Sequence, residues 1–310
     1  MTILLKNGHV VDYVNGFEGK KDILIKDGFI RALGDNLECE DKNARVVDCN
    51  GLTVIPGICD MHVHLRDPGQ TYKEDIITGC EAAVAGGVTA LACMPNTKPP
   101  VDNKETVKYI LDKAKKAKAK VYPVGCITKG MQGKELCDYD ELKAAGCVAD
   151  GRPVESANMM AQAMVKAHYA GLKVISHCED LEIIDGGIIN KGKISQQLGV
   201  KGMSRLSEDI ITARELAIAQ DTQMPIHIAH VSTKGSVNTI RGNTHIGVMC
   251  TCETAPHYFM MTDEKLLSRD ADYRMNPPLR EEDDVMAITA AITDGTIDCI
   301  VTDHAPHSAE

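Results

Sequence analysis

Pro56-Gly-Ile-Cys-Asp-Met-His62-Val-His64-Leu-Arg66 closes an apolar run with the pattern His-x-His-x-Arg, preceded by Asp60. Successive side chains of an extended strand point to opposite faces, so His62, His64 and Arg66 are expected on one face. Two imidazoles side by side at the end of a buried strand make half of a metal site. A cation one step further along that face points to an anionic substrate held near the metal. Fold and function therefore turn on whether the missing ligands stand at the ends of other strands.

From residue 53 onward, strand-like and helix-like patterns alternate. The strand runs are 53–64, 88–94, 120–127, 146–150, 173–177, 225–230, 246–251 and 298–303. Helical patterns between them include 72–85, 104–119, 156–170, 207–222 and 281–294. Eight buried strands alternating with helices predict an α/β fold, a (β/α)8 TIM barrel, for which ~250 residues is typical. No eighth helix follows the last strand before residue 310, so a longer natural chain, or a partner covering the gap, is expected. The stretch 183–206, rich in Gly and Lys, is expected to be an irregular surface excursion, and the lysines of 113–120 the solvated face of a helix.

Residues 1–52 carry a different pattern: short strands and an Asp27-Gly28 turn, a β-sandwich-like small domain expected to be completed by a segment beyond residue 310. The barrel is assigned to 53–310. A formal net charge of −10 argues against nucleic-acid and membrane surfaces. No run approaches the ~18 apolar residues of a membrane span. The first ten residues lack the basic leader and apolar core of a signal peptide, so a cytoplasmic protein is expected. The 12 cysteines form no C-x-x-C pair, and most lie in apolar segments where a thiol packs as a small hydrophobe.

Catalytic residues of a barrel gather at the C-terminal strand ends. Those ends read His62 and His64, Asp150, His177, His230 and Asp303. Four histidines and two carboxylates suit Zn²⁺ and suffice for two ions if one carboxylate bridges. The other histidines set the contrast. His168 falls in a helix, His227 on the opposite strand face from His230, and His304 points away from its neighbour Asp303. His257 lies near the seventh strand end, where a supporting role is as expected as a structural one.

The segments His62-Val-His-Leu-Arg-Asp-Pro-Gly69, Met94-Pro-Asn-Thr97, Ser176-His-Cys-Glu179, Glu253-Thr-Ala-Pro-His257, Asn276-Pro-Pro-Leu-Arg280 and Thr302-Asp-His-Ala-Pro-His307 resemble the bacterial dihydroorotases of the amidohydrolase superfamily. The resemblance runs from the first strand to the end of the chain. It implies reversible cyclisation of N-carbamoyl-L-aspartate to L-dihydroorotate and water, in pyrimidine biosynthesis. It implies one or two Zn²⁺, the first on His62, His64 and Asp303, the second on His177 and His230, with Asp150 between them. Many superfamily members bridge the ions with a carboxylated lysine; here Asp150 stands at that strand end.

The same resemblance makes Asp303 the general base and Arg66 the clamp for a substrate carboxylate, with His64, Asn96, Asn276 and His307 also touching substrate. A homodimer is expected, with aspartate transcarbamoylase as a candidate partner. Hydantoinases, dihydropyrimidinases and allantoinases share the metal centre but lack the arginine of His-x-His-x-Arg, so Arg66 separates the readings. A scaffold without activity is the alternative outside enzymology, and it would be expected to have lost metal ligands.

Overall fold

The computed structural model describes residues 1–309. The chain divides into two compact units, Met1–Ile58 and Cys59–Glu310. The first holds strands β1 (Thr2–Asp12), β2 (Phe17–Lys26), β3 (Phe29–Gly34), β4 (Arg45–Asp48) and β5 (Thr53–Val54). They form one sheet in the order β3-β2-β1-β4, with β5 also paired to β1. The hairpin between β2 and β3 turns at Asp27 and Gly28, whose φ of 54° and 79° match a two-residue turn with both residues left-handed. On β1, Gly8 is required by close approach, since a Cβ there would meet Val54 Cγ2 at 2.7 Å. Asp22 is buried; it accepts from Asn7 N and Leu37 N and pairs with Lys6 at the bulge of β1.

The second unit alternates parallel strands with helices. Its strands are β6 (Ile58–Val63), β7 (Val88–Cys93), β8 (Lys120–Pro123), β9 (Cys147–Ala149), β10 (Lys173–Ser176), β11 (Ile189–Asn190), β12 (Gly202–Met203), β13 (Ile226–Ile228), β14 (Cys250–Thr254) and β15 (Cys299–Ile300). The helices are α1 (Ile76–Ala85), α2 (Lys104–Ala114), α3 (Ala157–Tyr169), α4 (Leu181–Ile184), α5 (Lys193–Leu198), α6 (Leu206–Thr222), α7 (Lys234–His245), α8 (Pro256–Met260) and α9 (Glu282–Thr293). One sheet runs β6-β7-β8 and another β15-β14-β13-β10-β9. Isolated parallel bridges link them at Gly125–Val148 and Val63–His304.

Both faces of these strands are buried, as parallel sheets covered by helices require. Val148, Val174 and Ile228 face out and pack in one large core with Ile110, Met160, Met164, Leu216, Ile240 and Ile288 of the helices. Their neighbours Ala149, Ile175 and Ala229 face inward and form a separate small cluster with Met94 and Val124. The period of two thus sorts each strand into an outer face that builds the core and an inner face that floors a cavity.

Helix starts are set by caps. Asp75 accepts from Ile77 N and Thr78 N, which begins α1 at Ile76 rather than at residue 72. Asn103, Ser156 and Thr233 cap α2, α3 and α7 in the same way. Between β8 and β9 the expected helix is absent among the described residues. Two short 3-10 turns, Lys129–Met131 and Lys143–Ala145, replace it, the first carrying Gly130 at φ 59°.

Four further expectations need correction. The first strand is interrupted at Pro56-Gly57: residues 53–54 pair with β1 and β6 starts only at Ile58. Proline offers no ladder donor, which ends the pairing there. The seventh strand lies at Cys250–Thr254, not 246–251, because α7 persists to His245 and Gly247, at φ 90°, turns the chain afterwards. The stretch 183–206 is ordered: β11 and β12 pair in parallel, and Ile189, Ile194 and Met203 are buried. Lys113 is also not merely solvated; its Nζ lies 2.5 Å from the fully buried carboxylate of Asp67.

Candidate active site

The inner cluster floors a cavity of about 850 Å³ at the C-terminal strand ends. All ten residues singled out from the sequence line it: His62, His64, Arg66, Asn96, Asp150, His177, His230, Asn276, Asp303 and His307. Four imidazoles stand in a row. Ring centroids are 5.4 Å apart for His64 and His62, 5.3 Å for His62 and His230, and 4.7 Å for His230 and His177.

One end of this row has the makings of a metal centre. Asp303 Oδ1 lies 3.1 Å from His64 Nε2 and 3.6 Å from His62 Nε2. One ligand atom from each of the three lies within 4.8 Å of the others. The remote ring nitrogens are both held by acceptors. His62 Nδ1 donates to Glu253 Oε1 at 2.5 Å, and His64 Nδ1 donates to Asn96 Oδ1 at 2.8 Å. A carboxylate and an amide oxygen accept only, so both rings keep a proton on Nδ1, and loss of the proton that Nε2 can share with Asp303 frees a lone pair there for a metal. Two imidazole nitrogens and a carboxylate oxygen converging in this way fit a divalent cation such as Zn²⁺.

The other end is arranged differently. His177 Nε2 faces the Glu179 carboxylate at 3.1 Å, and its Nδ1 lies 2.7 Å from His230 Nε2. The two imidazoles are thus hydrogen-bonded to each other. Asp150 lines the cavity but spends its carboxylate on the neighbouring segment, accepting from Ile127 N, Thr128 N and the Thr128 hydroxyl. The structure brings His62, His64 and Asp303 together, sets His177 and His230 beside them, and does not join Asp150 to either group by a hydrogen bond.

Electrostatics follow this geometry. Burial opposes a charge on His62, but the Glu253 carboxylate, with smaller help from Asp303, overcomes it and raises the imidazole to about 9. Burial also works against ionising Asp303; the hydrogen bond from His64 and the charges of His62 and His64 nevertheless hold it well below the usual carboxylate range. His230 is driven well below its ordinary value by burial and then by His177 and His62. Burial lifts Asp150 to about 6 against its hydrogen bonds from Thr128 and Ile127.

Arg66 reaches the cavity by a route that strand alternation does not describe. β6 ends at Val63, and Arg66 adopts a left-handed φ of 59°. Its Nε donates to Pro306 O at 3.1 Å, and Nη2 lies 3.4 Å from His307 Nε2. His230 and Asp303 are also non-glycine residues of positive φ, at 35° and 50°. Asn276 donates to Glu179 at 2.8 Å, tying its loop to the His177 strand end.

Four residues in or around the site have no role that the sequence alone assigns. Glu253 lies within the seventh strand rather than beyond it, and its two-residue spacing from Thr251 is the sequence signal that marks it. Glu179 meets His177 and Asn276, and Arg274 lines the cavity two residues before Asn276. His257 lines it too, with a buried Nε2 that has no hydrogen-bond partner, and burial lowers its pKa. His304 turns away from the cavity floor and meets Glu74.

The fold is shared with solved hydantoinases and dihydropyrimidinases. An L-hydantoinase (dihydropyrimidinase) from Arthrobacter aurescens superposes with a TM-score of 0.84 at 21% identity, covering 98% of this chain and 69% of that one. A dihydropyrimidinase from Brevibacillus agri gives 0.83 at 22% identity, covering 100% and 70%. Sequence likeness is narrower. A dihydro-orotase-like family model matches residues 51–236. Dihydroorotases of Trichlorobacter lovleyi and Geobacter sulfurreducens are each 51% identical to it over 311 residues, 99% of this chain and 73% of each relative. The chain belongs to the dihydroorotase family and is a cyclic amide hydrolase.

Proposed function

We propose that the chain is a zinc-dependent dihydroorotase, interconverting N-carbamoyl-L-aspartate with L-dihydroorotate and water in pyrimidine biosynthesis. The observation that best supports this reading is the buried Arg66, beside His307, in the same cavity as the His62, His64 and Asp303 donor set. A planar guanidinium suits a carboxylate, and the carboxylate is what distinguishes this substrate from a plain hydantoin or dihydrouracil.

His62, His64 and Asp303 would hold one Zn²⁺, and His177 and His230 are available for a second, with Asp150 between. When bound, the metal would polarise the ring carbonyl as a Lewis acid and lower the pKa of the attacking water from 15.7 to about 7. The chain supplies the rest. Asp303, kept ionised by its imidazole neighbours, takes a proton from the attacking water and delivers it to the departing ring nitrogen. In the biosynthetic direction it returns that proton as an acid. Arg66 binds the α-carboxylate, His307 and Asn96 flank it, and Asn276 closes the cavity from its loop. His64, fixed by Asn96, stands between the metal and substrate groups.

In this reading the two linked sheets form one (β/α)8 barrel, 53–310, residues 1–52 form a separate β domain, and the protein is a cytoplasmic homodimer that could also associate with aspartate transcarbamoylase. The test is a comparison of substrates on the zinc-loaded protein. Cyclisation of N-carbamoyl-L-aspartate and hydrolysis of L-dihydroorotate are expected, with hydantoin, dihydrouracil and allantoin turned over far more slowly. Turnover of those three alone would overturn the reading.

A further inference from the structure

Beneath the candidate metal centre lies a hydrogen-bonded chain that the reaction as proposed does not use. It begins at Thr251, whose hydroxyl donates to His227 Nδ1 at 2.8 Å. His227 Nε2 donates to Glu253 Oε2 at 3.1 Å, and Glu253 Oε1 receives His62 Nδ1–H at 2.5 Å. The same oxygen lies 3.4 Å from the main-chain N of His230. From His227 inward the links are buried, with His62 5% exposed, His227 7% and Glu253 0%, while Thr251 at the outer end is exposed.

His227, Glu253 and Cys299 place their ligand atoms within 4.8 Å of one another, as a metal site would. The hydrogen bonds argue against that use. Both nitrogens of His227 and both oxygens of Glu253 are already engaged, and each bond fixes the direction of the next. Glu253 accepts only, so His227 carries its proton on Nε2 and accepts at Nδ1 from the Thr251 hydroxyl. Donation therefore runs from Thr251 through His227 to Glu253, which receives the His62 proton from the other side.

We infer that Thr251, His227 and Glu253 are positioning residues that orient His62 for metal binding, with His227 the link on which the others depend. The inference rests on the metal centre proposed above. Without the His227 donor, Glu253 would keep a buried oxygen unpaired and would turn or take up a proton, releasing His62 from its orientation. The partners behind a metal-ligating imidazole are worth roughly 10–100-fold in metal affinity. Because Glu253 also touches the His230 main chain, the same anion ties the two strand ends that carry both halves of the imidazole row.

The experiment is Zn²⁺ titration of the metal-stripped chain against a chromophoric chelator, with nitrogen-15 histidine spectra of the same samples. His227→Leu is expected to weaken Zn²⁺ binding by about 10–100-fold and to move the His62 Nδ1 proton signal. His227→Gln, whose amide can donate from the position of Nε2, is expected to restore most of the affinity. Thr251→Val keeps the shape and should produce a smaller loss, which guards against a folding defect in the first variant. Unchanged Zn²⁺ affinity in His227→Leu, with only a lower melting temperature, would overturn the inference and leave the metal centre standing. Failure of the wild-type chain to take up Zn²⁺ would overturn the metal centre and this inference together.

Discussion

Arg66 and Asp303 occupy one cavity but answer to different tests. Arg66 has no place in the donor set, so Arg66→Ala should raise KM for the carboxylate substrate and leave zinc content unchanged. The loss of a charge-assisted hydrogen bond, about 1.5–3 kcal/mol, corresponds to roughly 10–100-fold in kcat/KM. Asp303→Asn should instead lower kcat by about 10²–10⁴-fold, the usual worth of a positioned acid–base group. Steady-state kinetics with metal analysis separates the two; a fall in zinc content for Arg66→Ala would refute the division of labour.

His62 adds a pH dependence. Its folded value of about 9 lies above the ordinary 6.5, so in the metal-free chain its contribution to stability is present below 6.5 and lost as pH rises through 9. Zn²⁺ must displace that proton, so affinity should climb by up to about tenfold per pH unit toward pH 9 and level off beyond it. Proton release measured during titration checks this; none at pH 7 would contradict it.

At the scale of elements, the loop between β6 and α1 is anchored from an adjacent helix. Asp67 is buried and receives Tyr109 Oη at 2.9 Å and Lys113 Nζ at 2.5 Å, both from α2, as well as Ile76 N at 3.3 Å from α1. Lys113→Met would strip this carboxylate of its counter-charge, costing about 3–5 kcal/mol if the anion stays buried. Because Asp67 follows Arg66 directly, the variant should also raise KM. Denaturant unfolding and kinetics together test it, and a change below ~0.5 kcal/mol would show the pair to be ordinary surface chemistry.

The order of elements could be read from the chain because apolar strand runs and helical spacing are local signals. His62, His64, His177, His230 and Asp303 were found because they end such runs. Glu253 and the Lys113–Asp67 pair were not. Glu253 depends on a strand end that lies three residues later than the pattern predicts, and Lys113 on a partner 46 positions away. Pattern reading locates what one segment does; it does not see which distant acceptor a buried polar group will find.

For the molecule as a whole, a metal that binds only the folded second unit should stabilise it by mass action, by about 2.7 kcal/mol when free metal stands at 100 times Kd. Calorimetry should show the main transition rising with added Zn²⁺ and falling on chelation. A transition indifferent to metal would mean that the donor set of His62, His64 and Asp303 is filled by something else or by nothing.

Arg66, His230 and Asp303 share one more property, a left-handed backbone at φ 59°, 35° and 50°. Such a conformation costs an L-residue roughly 1–2 kcal/mol, which glycine avoids. A library of variants sorted by cellular abundance would therefore tolerate glycine at these three positions, while the same library sorted by growth without exogenous uracil would reject it. Where those two rankings part company along the chain, they would trace the outline of the catalytic cavity without any structure at all.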